Sequence, residues 1–194
     1  MFLFSPNTKT KKKLTGGFSL VELMVTIGIV TLVTGVVMVK YSAFNSVVIL
    51  KSQAYELALD IREAQVFGVS VGGGTNSYRQ AYGIYVDMTN PNQYLLFQDT
   101  SGDLQYDAGE EIGETYTIDS RFEIINICTV VGAGGDVCTA TMASIAFKRP
   151  DFDAQMATNT EGSPDVVKVT IATTDDHTQS RTVLVYASGQ ISVQ

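Results

Sequence analysis

Residues 16–39 read Gly16-Gly17-Phe18-Ser19-Leu20-Val21-Glu22 followed by LMVTIGIVTLVTGVVMV. Between Phe18 and Val39 the only charge is Glu22. The run is long enough to cross a bilayer as a helix, which takes about 20 residues. Lys9, Lys11, Lys12 and Lys13 stand before it with no acid among residues 1–17. The positive-inside rule then keeps the amino end cytoplasmic and sends the carboxyl portion across. An ordinary secretory signal shares the basic and apolar regions, but its cleavage site follows the apolar run. Here Gly16-Gly17 lies between the two. A carboxylate just inside an apolar span is costly, and such an acid is a functional candidate by default.

Gly17-Phe18-Ser19-Leu20-Val21-Glu22-Leu23, with the lysines before it and the apolar helix after it, resembles the class III signal of type IV pilins and type II secretion pseudopilins. The resemblance implies cleavage of the Gly17–Phe18 bond by a membrane prepilin peptidase and N-methylation of Phe18. It also implies that the apolar segment holds the subunit in the cytoplasmic (inner) membrane, head outward, until an inner-membrane assembly platform moves it into a filament of other pilins or pseudopilins. Glu22 is then expected to pair with the Phe18 amino group of a neighbouring subunit, which offsets two desolvation costs and sets axial register. The simpler alternative places Glu22 in the headgroup zone beside the lysines. Many type IV pilins carry a proline partway along this helix. Residues 18–72 contain none, although Gly28 and Gly35 are weak helix formers.

Past Val39 the pattern turns amphipathic. Leu50, Ala54, Leu57, Ile61, Ala64 and Gly68 fall on one helical face, with Lys51, Glu56, Asp60 and Glu63 mostly away from it. One helix from about Phe18 to about Val69 is expected, ended by GGGTNS at 72–77. Its small residues would let a sheet approach closely. Two separate helices are the alternative, but nothing near 40–45 forces a break. Strand patterns follow at 81–87, 93–99, 122–129, 143–149, 166–173, 181–187 and 190–193, with turns at 89–92, 174–179 and 188–189. The expected fold is α+β: a long amino-terminal helix packed on one antiparallel sheet. The expected divisions are a leader at 1–17, a transmembrane or assembly helix at 18–39, an amphipathic half at 40–72 and a β-rich head at 73–194. The order LALDIREAQ, GIYVD and a closing SGQISV is similar to the GspH/FimT group of minor pseudopilins and minor pilins, which implies a place at or near a filament tip.

The chain of 194 residues is 45% hydrophobic and 17% charged, a balance that supports a folded domain rather than disorder. Thirteen basic residues less the four leader lysines leave nine, against 20 acids. A surface that acidic repels phosphates, and no nucleic-acid partner is expected. Cys128 and Cys138 flank the glycine-rich VVGAGGDV and fit one disulfide closing a short loop in an oxidising compartment, two free thiols being the other reading.

The segment from Asp99 to Glu110 places Asp99, Ser101, Asp103, Asp107 and Glu110 at loop positions one, three, five, nine and twelve of an EF-hand spacing. Gln105 takes the backbone-carbonyl position. Calcium, as a structural ion, is the one cofactor the sequence points to. Leu104 stands where such a loop normally has glycine, and the competing reading is a solvated acidic turn. Nothing suggests catalysis. His177 is the only histidine and lies in a polar turn. GGG at 72–74 and VGAGGD at 131–136 lack the setting and lysine of a phosphate loop. The leading expectation is a filament subunit. Its rival is a tip-located binding module for adhesion, DNA uptake or contact with an export substrate.

Overall fold

The computed structural model describes residues 17–70, 80–160 and 162–194, apart from the side chains of 39–44. The leader lysines, Gly16 and the expected stop signal at 72–77 lie outside the described residues. The chain divides into two compact units, Met1–Phe44 and Asn45–Gln194.

In the first unit, helix α1 (Leu20–Val69) begins one turn before Leu23, whose N–H donates to the Ser19 carbonyl. Leu20–Met38 has a mean hydropathy of 2.3 and none of it is buried. Its polar groups are satisfied along the helix itself. The hydroxyls of Thr26, Thr31 and Thr34 donate to the carbonyls of Leu23, Ile27 and Val30 at 2.9, 2.5 and 2.7 Å. Such back-bonding removes the cost of a free hydroxyl where no water is at hand. The helix runs without interruption to Val69, as the absence of proline and of a break near 40–45 leads one to expect.

In the second unit the amphipathic half of α1 belongs to a β-rich head. The strands are β1 (Ala81–Asp87), β2 (Gln93–Asp99), β3 (Tyr116–Thr117), β4 (Phe122–Val130), β5 (Val137–Ala140), β6 (Met142–Phe147), β7 (Ala154–Thr158), β8 (Val166–Thr173), β9 (Ser180–Tyr186) and β10 (Ile191–Val193). The α+β class is as expected; the single sheet is not. The strands form two five-stranded antiparallel sheets, ordered β3-β2-β1-β6-β7 and β10-β9-β8-β4-β5. The division arises because β1 turns to a distant partner: Ile84 lies opposite Leu96 on one side and Ile145 on the other. Meanwhile β4 pairs with β8, Ile127 facing Val169. Strands β3, β5 and β7 were not expected, and β6 stops at Phe147 rather than 149.

One apolar cluster joins Leu50, Ala54, Leu57, Ile61 and Ala64 of α1 to Ile84, Leu96, Ile145 and Phe147 of the first sheet and Ile124, Val169, Ile171 and Val183 of the second. The helix flanks are fixed by polar contacts. The Tyr94 hydroxyl donates to Asp60 at 2.5 Å, and the Gln65 amide donates to the Gly189 carbonyl at 3.1 Å. Burial raises the Asp60 carboxyl above its ordinary pKa, and burial together with this contact raises the Tyr94 phenol strongly. Gly68 completes the small-residue face: a Cβ there would lie 2.3 Å from the Phe147 carbonyl oxygen.

Two glycine substitutions on the same helix should therefore part company. Alanine improves helix propensity by about 1 kcal/mol at an exposed site, whereas overpacking against backbone costs about 1–3 kcal/mol. Gly68→Ala is expected to lower the thermal midpoint. Gly28→Ala, where a Cβ would meet nothing within 4 Å, should leave it unchanged or raise it. Circular-dichroism melts in detergent distinguish the two outcomes.

Candidate functional site

The amino-terminal residues singled out by the sequence lie together at the start of α1. Gly17, Phe18 and Ser19 precede the helix, and Phe18 is 80% exposed. Glu22 falls in the first helical turn, where a negative charge faces the positive end of the helix dipole. A Cβ on Gly17 would meet nothing within 4 Å. No contact within the described residues accounts for glycine at this position.

The acidic loop is ordered by its own hydrogen bonds. Asp99 is buried, and its carboxylate accepts from the N–H groups of Gly102 at 2.6 Å and Leu104 at 3.1 Å, and from the Ser101 hydroxyl at 3.1 Å. Glu110, also buried, accepts from the N–H and hydroxyl of Thr100 at 2.7 and 2.8 Å, from Ser101 N–H at 3.0 Å and from Asp107 N–H at 3.1 Å. Asp103 accepts from the Gln105 N–H at 2.9 Å. Burial raises the Glu110 pKa, but these donors together outweigh it and hold the carboxyl below its ordinary value. Among the described residues no group of three or more His, Cys, Asp or Glu side chains is placed to hold a metal ion. Asp99, Asp103 and Glu110 serve in this structure as acceptors that close the turn.

Leu104 makes the turn that glycine would normally make, with φ at 67°. The reason lies beneath it. The outward face of the first sheet carries a second small cluster of Ala81, Phe97 and Ala146, with Tyr85, Leu95, Leu104 and Tyr106 packed against it. The apolar Leu104 side chain helps cover Phe97, a contact that offsets the strain of a left-handed backbone. Tyr106 is fixed by its N–H to the Ser144 hydroxyl at 3.2 Å and by its own hydroxyl to Glu111 at 3.2 Å. Its ring lies 4.6 Å from that of Tyr85. Beside this pair opens a cleft of about 310 Å³ lined by Tyr85, Asp87, Asn90, Gln93, Tyr94, Leu95, Tyr106 and Thr115. The sequence reading missed it. The available signal was apolar side chains on both faces of GIYVD and QYLLFQD, which a strand exposed on one side does not need.

Cys128 on β4 and Cys138 on β5 form a disulfide with an S–S distance of 2.01 Å. The hairpin they close is tied to β8 by Lys168, which pairs with Asp136 at 2.8 Å. His177 lies 2.9 Å from Glu123 at the end of the second sheet.

If Glu110 closes its loop as an ionised acceptor, Glu110→Gln should cost about 1–3 kcal/mol at neutral pH, the usual range for weakening a buried charged hydrogen-bond network. The folded-state pKa lies below the ordinary 4.5, so the unfolded chain binds the proton more readily. The stabilisation is full above pH 4.5 and is lost as pH falls through the lower folded value. Denaturant melts of both forms from pH 3 upward, a span of roughly the carboxylate range, should show the gap between them closing in acid.

Comparison with protein-family models, with curated proteins and with solved structures finds no match to this chain.

Proposed function

We propose that the chain is a type IV pilin-like subunit, a minor pseudopilin or minor pilin, cut after Gly17 and assembled through α1 into a filament. The observation that carries this reading is the sequence Gly17-Phe18-Ser19-Leu20-Val21-Glu22 at the head of an uninterrupted helix. That helix is apolar on all sides over Leu20–Met38 and one-sided from Leu50 onward. A span that is apolar all round suits lipid or the interior of a helical filament equally; the one-sided half suits a folded head. Gly17, exposed and unconstrained by packing, fits a residue selected by an external protease subsite. The disulfide fits a head delivered to an oxidising compartment. The partners on this reading are prepilin peptidase, an inner-membrane assembly platform and other pilins or pseudopilins, and the amino terminus is cytoplasmic.

Intact-mass measurement of the protein from membranes of its native host tests the pathway directly. The expected species begins at Phe18 and carries one added methyl group. A start at Met1, or a cut beyond the apolar run, would reject the reading. Gly17→Ala is expected to accumulate the longer precursor on immunoblots. Glu22→Ala should still be processed but enter sheared filaments poorly, because the Phe18 amino group of a neighbour loses its counter-charge; undiminished incorporation would remove the register role.

A further inference from the structure

The acidic loop and the first sheet build one feature apart from the amino-terminal motif: the cleft beside the Tyr85–Tyr106 pair. We infer that this cleft is a saccharide-binding site, sized for one or two sugar rings. Its volume of about 310 Å³ stands at the small end of the range for ligand sites, about 300–1,000 Å³. Two tyrosine rings 4.6 Å apart line it. Aromatic faces carry negative potential and attract the weakly positive C–H face of a pyranose. Around the rings stand groups suited to hydroxyls: the amides of Asn90 and Gln93, the Thr115 hydroxyl and the Asp87 carboxylate. Among the described residues the Gln93 and Thr115 side chains have no hydrogen-bond partner within the protein, and the Asn90 amide donates only to Thr89 at 3.3 Å. They are open to an incoming ligand.

The charge distribution disfavours a polyanion, and the mostly neutral polar lining suits a polyhydroxylated molecule. In a chain of net charge −7, the lining contains a single acid, Asp87. That carboxylate already accepts from the N–H and hydroxyl of Thr89 at 2.8 and 2.7 Å. A nucleic acid would meet the repulsive field of the whole chain, and a cationic peptide would find a single carboxylate in the lining to pair with. A neutral polyhydroxylated molecule is not repelled and can use every neutral polar group of the lining. The loop has a defined part in the site, because Asp99 and Glu110 fix the turn and Ser144 and Glu111 fix Tyr106 over Tyr85.

Saturation-transfer NMR on the full chain in a sugar-free zwitterionic detergent tests the site, with maltose, lactose and chitobiose each at roughly 10 mM to reach weak affinities. Transfer to the ring C–H protons of at least one disaccharide is expected. Tyr85→Ala and Tyr106→Ala should weaken it about tenfold, equal to about 1.4 kcal/mol. Tyr106→Phe should retain it, Gln93→Ala should reduce it without changing the melting curve, and Tyr55→Ala, on the exposed side of α1, should leave it unchanged. Absence of transfer to all three sugars, retention by both tyrosine-to-alanine variants, or transfer only to a lysine-containing tetrapeptide would overturn the assignment. None of these results depends on cleavage at Gly17 or on filament assembly.

Discussion

The head is organised around one helical stripe. Leu50, Ala54, Leu57, Ile61 and Ala64 are fully buried, and residues from both sheets belong to the same cluster. Each sheet has an apolar inner face that must be buried against another layer. The stripe is part of that layer for both sheets, and its small members set how near the strands can come. At Gly68 the approach is so close that only a hydrogen fits beside the Phe147 carbonyl. The hydrogen bonds from Tyr94 to Asp60 and from Gln65 to Gly189 then fix rotation about the helix axis, which burial alone leaves loosely defined.

The first sheet is covered on both faces, by different means. Its inner face meets the helix, while its outer face is closed by the loop from Thr100 to Glu111, with Leu104 and Tyr106 as the covering side chains. A loop of this length has many conformations to lose on folding. The two buried carboxylates at its ends collect N–H donors that would otherwise be unpaired against an apolar surface. Acidic residues that look like ion ligands in sequence can serve instead as acceptors for the backbone, because both roles require oxygen atoms at closely spaced turn positions. A metal loop favours glycine at the position of Leu104, whereas a loop that must also cover Phe97 gains from an apolar side chain there.

Much of the fold was legible because it is local. The helix boundaries follow from an apolar run and a three-and-four spacing, and β1, β2 and β8 match their sequence patterns residue for residue. The strands that escaped reading are short or made of small and polar residues, such as VCTA in β5 and AQMAT in β7. Their extended form is imposed by neighbours: Ala154–Thr158 is held by its register with β6, from Phe147↔Ala154 to Ala143↔Thr158. The division into two sheets was not legible for a related reason. Alternation tells which side chains share a face, but pairing of β1 with β6 joins segments more than fifty residues apart, and no local pattern encodes it. The disulfide was legible as a spacing. The cleft was not, since it depends on a loop folding back over a sheet.

Two glycines on or beside the same helix illustrate how fold and function leave different marks on a sequence. Gly68 is explained inside the structure: a Cβ would strike the Phe147 backbone. Gly17 is not, because a Cβ there would meet open space. Glycine lowers helix propensity and adds unfolded-state entropy, so a site that gains nothing from it in packing or backbone conformation is better filled by another residue. On the reading proposed for this chain, a protease subsite that accepts no side chain supplies the demand for glycine beside Phe18 that packing does not.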